Sequence, residues 1–410
     1  MGRRKSSRAR LCTICGKPMR KNGTTSSGRQ RWRCLRCRAS SAGDGSNARG
    51  SAEFRAFLVW ATGRMTLAQA AAMLGVSPRT FIRRIQWCWR VKPEIPRPAS
   101  PCRAVEADGT YVPYGWCLLV AIDAADGTPV AFQWCDTESR AAYTRLFSRL
   151  PAPRALVTDG GAGCAAAAAD TWKDTRIQRC LVHVLRNTRT DLTCRPRTDA
   201  GKDLLKLARK LVKVRDADDA AAWLNLPDDW HTRYADVIGQ RTTARDDPGN
   251  PKARAGRTWW WTHARLRRAY YRFIRLQRDG TLFAFCGPAA AGSVPSTTNR
   301  LEGGINADIK RVLDAHRGLT EEHMKRVCEW VLYMKTHDPD PGSFITTAPG
   351  ETTEPPTAST GLPAGSISRG RTRRRRLRVR IRHQERLGRQ DPMTPPQHAR
   401  IKHTFRHLTL

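Results

Sequence analysis

The sequence predicts an α/β protein with small basic modules on its N-terminal side. Three observations carry that prediction. From Cys102 onward, short apolar runs of strand length are followed by helical patterns. Before residue 40, four cysteines stand in two C-x2-C pairs. The chain of 410 residues also has 73 Lys+Arg against 36 Asp+Glu, a net charge of +37. That imbalance excludes a compact enzyme for small neutral metabolites. It calls for a polyanionic partner, nucleic acid before an acidic membrane surface. The charge is uneven: net +13 in residues 1–50 and net +10 in 341–410.

The first module is expected at residues 1–40. Cys12, Cys15, Cys34 and Cys37 form C-x2-C-x18-C-x2-C. Each knuckle turns tightly enough to present two thiolates to one tetrahedral Zn2+, so the spacing reads as a zinc ribbon. The segment between the pairs reads as a hairpin with Trp32 over it, and a basic stretch this short needs the metal to fold. Its lysines and arginines suit phosphate contact.

Residues 52–92 read as a helix-turn-helix. Thr66 can cap one helix, Gly75 supplies the turn, and Ser77 with Pro78 opens the next. Phe81, Ile82 and Ile85 are expected inside. Arg79, Thr80, Arg83, Arg84 and Gln86 are expected outside, as a face that reads DNA. A plain helix pair with a solvated basic face is the simpler alternative. The proline-rich stretch 93–101 is a connector.

Strands are expected at 104–111, 116–123, 129–134 and 154–158, with helices at 140–150 and after Gly161 and a last strand near 176–181. Three strands, then helix, strand, helix, strand is the order of a ribonuclease H-like core, here 102–197. Such a core places one carboxylate in the first strand, at Asp108, and one at the end of the fourth, at Asp159. A third comes from a later helix, where Glu302 lies in the segment 296–311. Two Mg2+ ions, with Mn2+ as a substitute, need such bridging and terminal oxygens. Asp159 and Glu302 are 143 positions apart, too far for a loop. The interval therefore has to hold a helical insertion at 198–295, with 296–338 completing the core and 339–410 a disordered, arginine-rich tail.

The motifs EADGTY, VTDGG, QRCLVHVLRN and STTNRLEGGINADIKR resemble those of the Mutator superfamily of DDE transposases, in particular its bacterial insertion-sequence members. The resemblance spans roughly residues 50–335. It implies an RNase H-like core with a helical insertion, and metal-dependent cleavage and strand transfer at the element's terminal inverted repeats and at target DNA. Position by position it implies Asp108, Asp159 and Glu302 as the catalytic triad, and Cys180 and His183 as the family's C/H-x2-H signature. The ribbon and the tail lie outside it. Paired DNA ends imply a homodimer or larger working complex.

Plainer readings stand beside these. Asp108 suits a turn acid and Glu302 a solvated helix residue when each is taken alone; rival acids are Glu106, Asp123 and Asp308. Ribbon and helix-turn-helix alone would suffice for a non-catalytic DNA-binding regulator, and another RNase H-like nuclease is a further alternative. Gly161–Ala166 fits a dinucleotide fingerprint but lacks the downstream acid. Cys180 and His183 with Cys194 lack a fourth zinc ligand, which favours a structural or near-site pair. Trp261, beside many arginines, suits either core packing or stacking on an unpaired base. No apolar run of eighteen residues exists, so no membrane partner is expected. Without an apolar signal segment, and with 13 cysteines, the expected location is the cytoplasm, on the nucleoid.

Overall fold

The computed structural model describes residues 11–12, 17–25, 28, 30–42, 46–63, 65–287 and 294–346. The chain divides into two units, Met1–Pro349 and Gly350–Leu410, and every described residue lies in the first. Cys15 and the arginine-rich tail lie outside the described residues.

Strands β1 (Met19–Thr24) and β2 (Gln30–Cys34) pair antiparallel, and β3 (Ser40–Ala42) joins β2. Cys12, Cys34 and Cys37 are buried beneath this sheet, with Trp32 packed against them. Helix α1 (Ser46–Thr62) leads to α2 (Leu67–Met73) and α3 (Pro78–Ile85). The Thr66 hydroxyl accepts from the Gln69 amide while the Gln69 side chain accepts from Thr66 N, a reciprocal cap that fixes where α2 starts. Ser77 caps α3 through the Thr80 amide, and Pro78 occupies a position with no amide to lose.

A mixed sheet of five strands lies at the centre, in the order β6 (Pro129–Cys135), β5 (Cys117–Asp123), β4 (Ala104–Tyr111), β7 (Ala155–Thr158), β8 (Arg176–Arg179). β5 is antiparallel to both β4 and β6; β7 and β8 run parallel to β4. Alternation along the strands assigns each side chain to a layer. Val105, Ala107, Leu119 and Ala121 pack under α4 (Arg140–Phe147) and α5 (Ala162–Thr171). On the opposite face, Leu118, Val120 and Ile122 meet α1–α3 together with α12 (Ala307–Ala315) and α13 (Glu321–Tyr333). Ala104, Ala155 and Val157 on that face meet α6 (Leu181–Leu192) and the helices after it. Two hydrophobic clusters thus share one face of the sheet. Glu106 and Asp108 project from β4 on that same face, by the same alternation.

The excursion after α6 comprises α7 (Asp199–Leu211), α8 (Ala217–Leu224), α9 (Leu226–Gly239), α10 (Pro251–Arg254) and α11 (Ala264–Arg278). It is helical with one exception. β9 (Arg241–Thr243) and β10 (Trp259–Trp261) form a two-stranded ribbon, so the three tryptophans alternate between its faces before the chain enters α11. Trp230 is fully buried, and its indole N–H donates to the Ala200 carbonyl at 3.0 Å. Asp191 of α6 accepts from Arg268 (3.2 Å) and Arg272 (2.5 Å) of α11. The last element among the described residues is α14 (Ser343–Thr346). Among the described residues no helix is long and apolar enough to cross a membrane.

The segment expected to run as one helix does so, with a departure inside it. Asn299 and Arg300 are α-helical, Leu301–Asn306 is π-helical, and α-helix resumes at Ala307. The wider turn inserts a residue into the ladder, a device that recurs at functional sites.

Removing the Asp191 carboxylate leaves the largely buried Arg272 guanidinium uncompensated. Asp191→Ala is expected to cost about 3 kcal/mol in urea unfolding; a loss under about 0.5 kcal/mol, the range of a neutral surface change, contradicts that account.

Candidate active site and a neighbouring cysteine cluster

The β4 strand carries Asp108 to the seam between the two clusters, opposite Val120 of β5. Asp108 Oδ2 accepts from the Asn306 side-chain amide at 3.1 Å, so the π-helical turn and the central strand meet at this carboxylate. Asp159 follows β7 directly. Its Oδ1 accepts from Gly161 N at 2.8 Å in a tight turn. Gly160 there has φ +83°, a backbone conformation that favours glycine, and the Arg179 guanidinium occupies the space a Cβ would take. Glu302 comes from the π-helical turn. Thr298 Oγ1 donates to its Oε1 (2.8 Å), His183 Nδ1 lies 3.3 Å from Oε1, and Arg186 Nη2 lies 3.4 Å from Oε2.

These carboxylates feel one another. Burial pushes the Asp108 carboxyl up to about 8, and the negative charges of Asp159, Glu138 and Glu302 push in the same direction. Like charges gathered in a poorly solvated pocket call for a cation. All the donors are hard oxygens, the ligand type that Mg2+ and Mn2+ prefer. Asp108, Asp159 and Glu302 therefore fit a divalent-ion site on chemistry and charge.

Glu138 is the residue sequence reasoning missed. It precedes Ser139, the cap of α4, and accepts from the Tyr143 hydroxyl at 2.9 Å. It reaches across to Gly109, where a Cβ would come within 2.7 Å of its carboxyl carbon. No motif marks it. The only trace in sequence is an acid just after the edge strand β6 and just before a capping serine.

The rival acids fall elsewhere or do other work. Glu106 is fully buried; its Oε2 accepts from Leu301 N at 3.2 Å and its Oε1 has no hydrogen-bond partner. Burial pushes its carboxyl up to about 7, against the pull of the Leu301 amide and Arg300. It thus supports the π-helical turn from below. Asp123 sits at the other end of the β4–β5 ladder and accepts from Ala125 N. Asp308 is paired with Arg311 and Lys335.

Cys180 and His183 meet Glu302, not Cys194, which is exposed beyond α6. Burial raises the Cys180 thiol, but hydrogen bonds from His183 and Thr298 outweigh it and bring it below its ordinary value. Burial lowers the His183 imidazole, and the Cys180 bond and charge together with Glu302 outweigh that and raise it.

Farther out, Cys12 Sγ and Cys37 Sγ are 3.3 Å apart, and the two with Cys34 Sγ lie within 4.8 Å of one another. Buried thiols this close suit zinc. Arg90, after α3, donates to the Cys37 carbonyl and ties this sheet to the helices. In α3, Arg79 and Arg83 are exposed, Thr80 is half-buried against Ser77, and Arg84 turns toward Glu53 of α1 at 3.9 Å. Trp261 is half-buried in a stack, with the Arg267 guanidinium 3.8 Å from its ring centre and Arg241 on it at 4.9 Å.

The raised Asp108 carboxyl sets a pH dependence for the metal-free protein. Above about 4 the unfolded chain releases this proton, while the folded chain keeps it to about 8. The native state then holds more protons, so stability falls as pH rises through that window and levels off above it. Glu106 acts in the same direction up to about 7. Urea midpoints measured from pH 4 to 9 in a chelator are expected to flatten in Asp108→Asn; an unchanged slope contradicts the assignment.

Residues 117–247 match a family model described as Transposase, Mutator family. The match takes in Asp159, Cys180 and His183, while Asp108 and Glu302 lie on either side of it. A comparison with curated proteins gives no match. The chain, built on a mixed α/β fold, carries a transposase domain of the Mutator family.

Proposed function

We propose that the protein is a DDE transposase that cleaves and transfers DNA ends with Asp108, Asp159 and Glu302. The observation that carries this reading is the convergence of these carboxylates, from a central strand, a strand end and a distant π-helical turn, beside a domain of a DNA-transferring family. In this reading the mixed sheet is an RNase H-like core, residues 198–295 are its insertion, and 1–40 and 52–92 are a zinc ribbon and a helix-turn-helix that grip the terminal inverted repeats. Zn2+ is held by Cys12, Cys15, Cys34 and Cys37. Arg79, Thr80, Arg83 and Arg84 belong to the DNA-facing surface of α3, and Trp261 stacks on an unpaired base. The working complex is a dimer or larger, assembled on DNA in the cytoplasm.

Bound at the triad, Mg2+ supplies charge neutralisation for an in-line phosphoryl displacement and activates the attacking hydroxyl. The chain's own residues do the rest. Asn306 holds Asp108 toward the pocket by its side-chain amide, and Thr298 fixes the rotamer of Glu302. Gly109 lets Glu138 approach Asp108. Arg179, with a buried Nη1 that has no hydrogen-bond partner, stands beside Asp159 and offers a donor to a phosphate oxygen. A regulator without catalysis has no use for this costly set of adjoining acids.

Asp108→Ala, Asp159→Ala and Glu302→Ala are each expected to lower Mg2+-dependent cleavage of element-end DNA at least ~1,000-fold, with end binding in a mobility-shift assay unchanged. Full activity in any one removes that residue from the site. Chelation is expected to melt the cysteine module and weaken binding to the ends; binding that withstands zinc removal contradicts the ribbon's role.

A further inference from the structure

We infer that Cys180, His183 and Glu302 form a second, thiolate-containing metal site that takes Zn2+, or Co2+ in its place, and competes with the carboxylate pocket for Glu302. Its consequence for activity rests on the triad reading; the metal site itself rests on geometry.

Cys180 Sγ, a His183 ring nitrogen and a Glu302 carboxylate oxygen lie within 4.8 Å of one another. Ligands on a tetrahedral zinc stand about 3.4–3.6 Å apart, given bonds of about 2.0–2.3 Å. The His183 Nδ1–Glu302 Oε1 distance of 3.3 Å already meets that requirement. The sulfur needs only a small inward shift. One thiolate, one imidazole and one carboxylate are a soft, borderline set that suits zinc and is foreign to magnesium. Three protein ligands with an open fourth position is a common arrangement for zinc exposed to solvent or substrate.

Two further observations point to a ligand. His183 Nδ1 is buried, and its polar neighbours are the Glu302 carboxylate at 3.3 Å and the Cys180 thiol, the other two members of the set. Cys180 Sγ already has outer-sphere donors, since the Thr298 backbone N–H lies 3.3 Å from it and the Thr298 hydroxyl 3.4 Å. Such donors orient and stabilise a metal-bound thiolate.

Arg186 makes the site conditional. Its Nη1 lies 2.9 Å from His183 Nε2. A guanidinium only donates, so Nε2 accepts and the neutral ring carries its proton on Nδ1. Metal binding at Nδ1 shifts the ring's single proton to Nε2, and the proton released to solvent is that of the Cys180 thiol. Arg186 must then swing away, and it releases Glu302 Oε2 as it goes. The exposed Arg186 side chain is free to make that move. Zinc here therefore keeps Glu302 against α6, where it already stands beside His183, and acts as a brake on Mg2+-dependent chemistry.

The test uses full-length protein with its own zinc left in place. Cobalt binds thiolate sites more weakly than zinc and leaves the N-terminal cysteines loaded. Titration with Co2+ is expected to give one further equivalent and a thiolate-to-cobalt band in the near ultraviolet. The band should vanish in Cys180→Ser and in His183→Ala, both checked by thermal melting. Arg186→Gln, whose side-chain carbonyl can accept from Nε2–H, should bind Co2+ about 10-fold more tightly. No band in the wild type, or a band that survives Cys180→Ser, overturns the site. So does an Arg186→Gln variant that binds more weakly. In cleavage assays with Mg2+, added Zn2+ should inhibit the wild type and spare Cys180→Ser relative to its own zinc-free rate. If the band fails while Asp108→Ala still abolishes cleavage, the metal site alone falls. If the band appears while the triad variants keep full activity, the triad reading falls and the metal site stands.

Discussion

The structure depends on holding like charges together. Asp159, Glu138 and Glu302 press their charges on Asp108, and burial denies that carboxyl the water that would screen them. An acidic cluster of this kind persists only if the surrounding chain over-determines it. Each acid accordingly has its own restraint. Asn306 holds Asp108, the Gly161 amide holds Asp159, Thr298 holds Glu302, and the Tyr143 hydroxyl holds Glu138. None of these restraints brings a full positive charge into direct contact with Asp108.

The sheet makes this possible by the way its two halves differ. Because β4 is antiparallel to β5 and parallel to β7, chain ends from both halves gather at one end of the strand. The hydrophobic clusters on the shared face leave a seam over β4, and the π-helical turn fills it. Leu301 and Ile305 are buried with the α1–α3 and α13 cluster. Glu106 accepts from the Leu301 amide on the same turn. A buried carboxyl pushed up to about 7 is a poor ion at neutral pH. Its hydrogen bond to the Leu301 amide anchors the turn that carries Glu302.

Much of this was legible in sequence, for identifiable reasons. Asp108 and Asp159 stand out as candidates because the order of strands and helices, itself a local pattern, puts one acid in the first strand and one after the fourth. Helix starts at Thr66 and Ser77 were readable because capping is chemistry within four residues. Other features lie in contacts far apart along the chain. Glu138 nears Asp108 only because α4 folds back over β4. Cys180 and His183 find their third partner 119 residues downstream, at Glu302, so a search for local ligands reached Cys194 instead. The π-helical turn has no periodic signature distinct from an α-helix over six residues. Arg84 looks like an outward-facing residue by spacing, and only the placement of α1 brings Glu53 within reach.

The long interval between Asp159 and Glu302 gains a physical meaning from how it closes. The excursion leaves the sheet at Cys180 and returns at Thr298, and the two ends are stitched together. Arg179 N donates to the Thr281 carbonyl at 2.7 Å, Leu181 N to the Ser296 carbonyl at 3.0 Å, and Thr298 N to Cys180 Sγ at 3.3 Å. The return point lies four residues before Glu302. Any displacement of the excursion relative to the sheet must therefore pass through these bonds before it reaches the carboxylate. The same helices carry the arginine-flanked Trp261 stack on their outer ribbon, and Asp191 locks α11 to α6. A ligand that pulls on that ribbon acts on α6, and α6 carries His183 and Arg186, which touch Glu302 directly. The position of the third acid is thus not a property of the sheet alone. It is set jointly by the sheet and by the helical excursion, and only while the stitches between them hold.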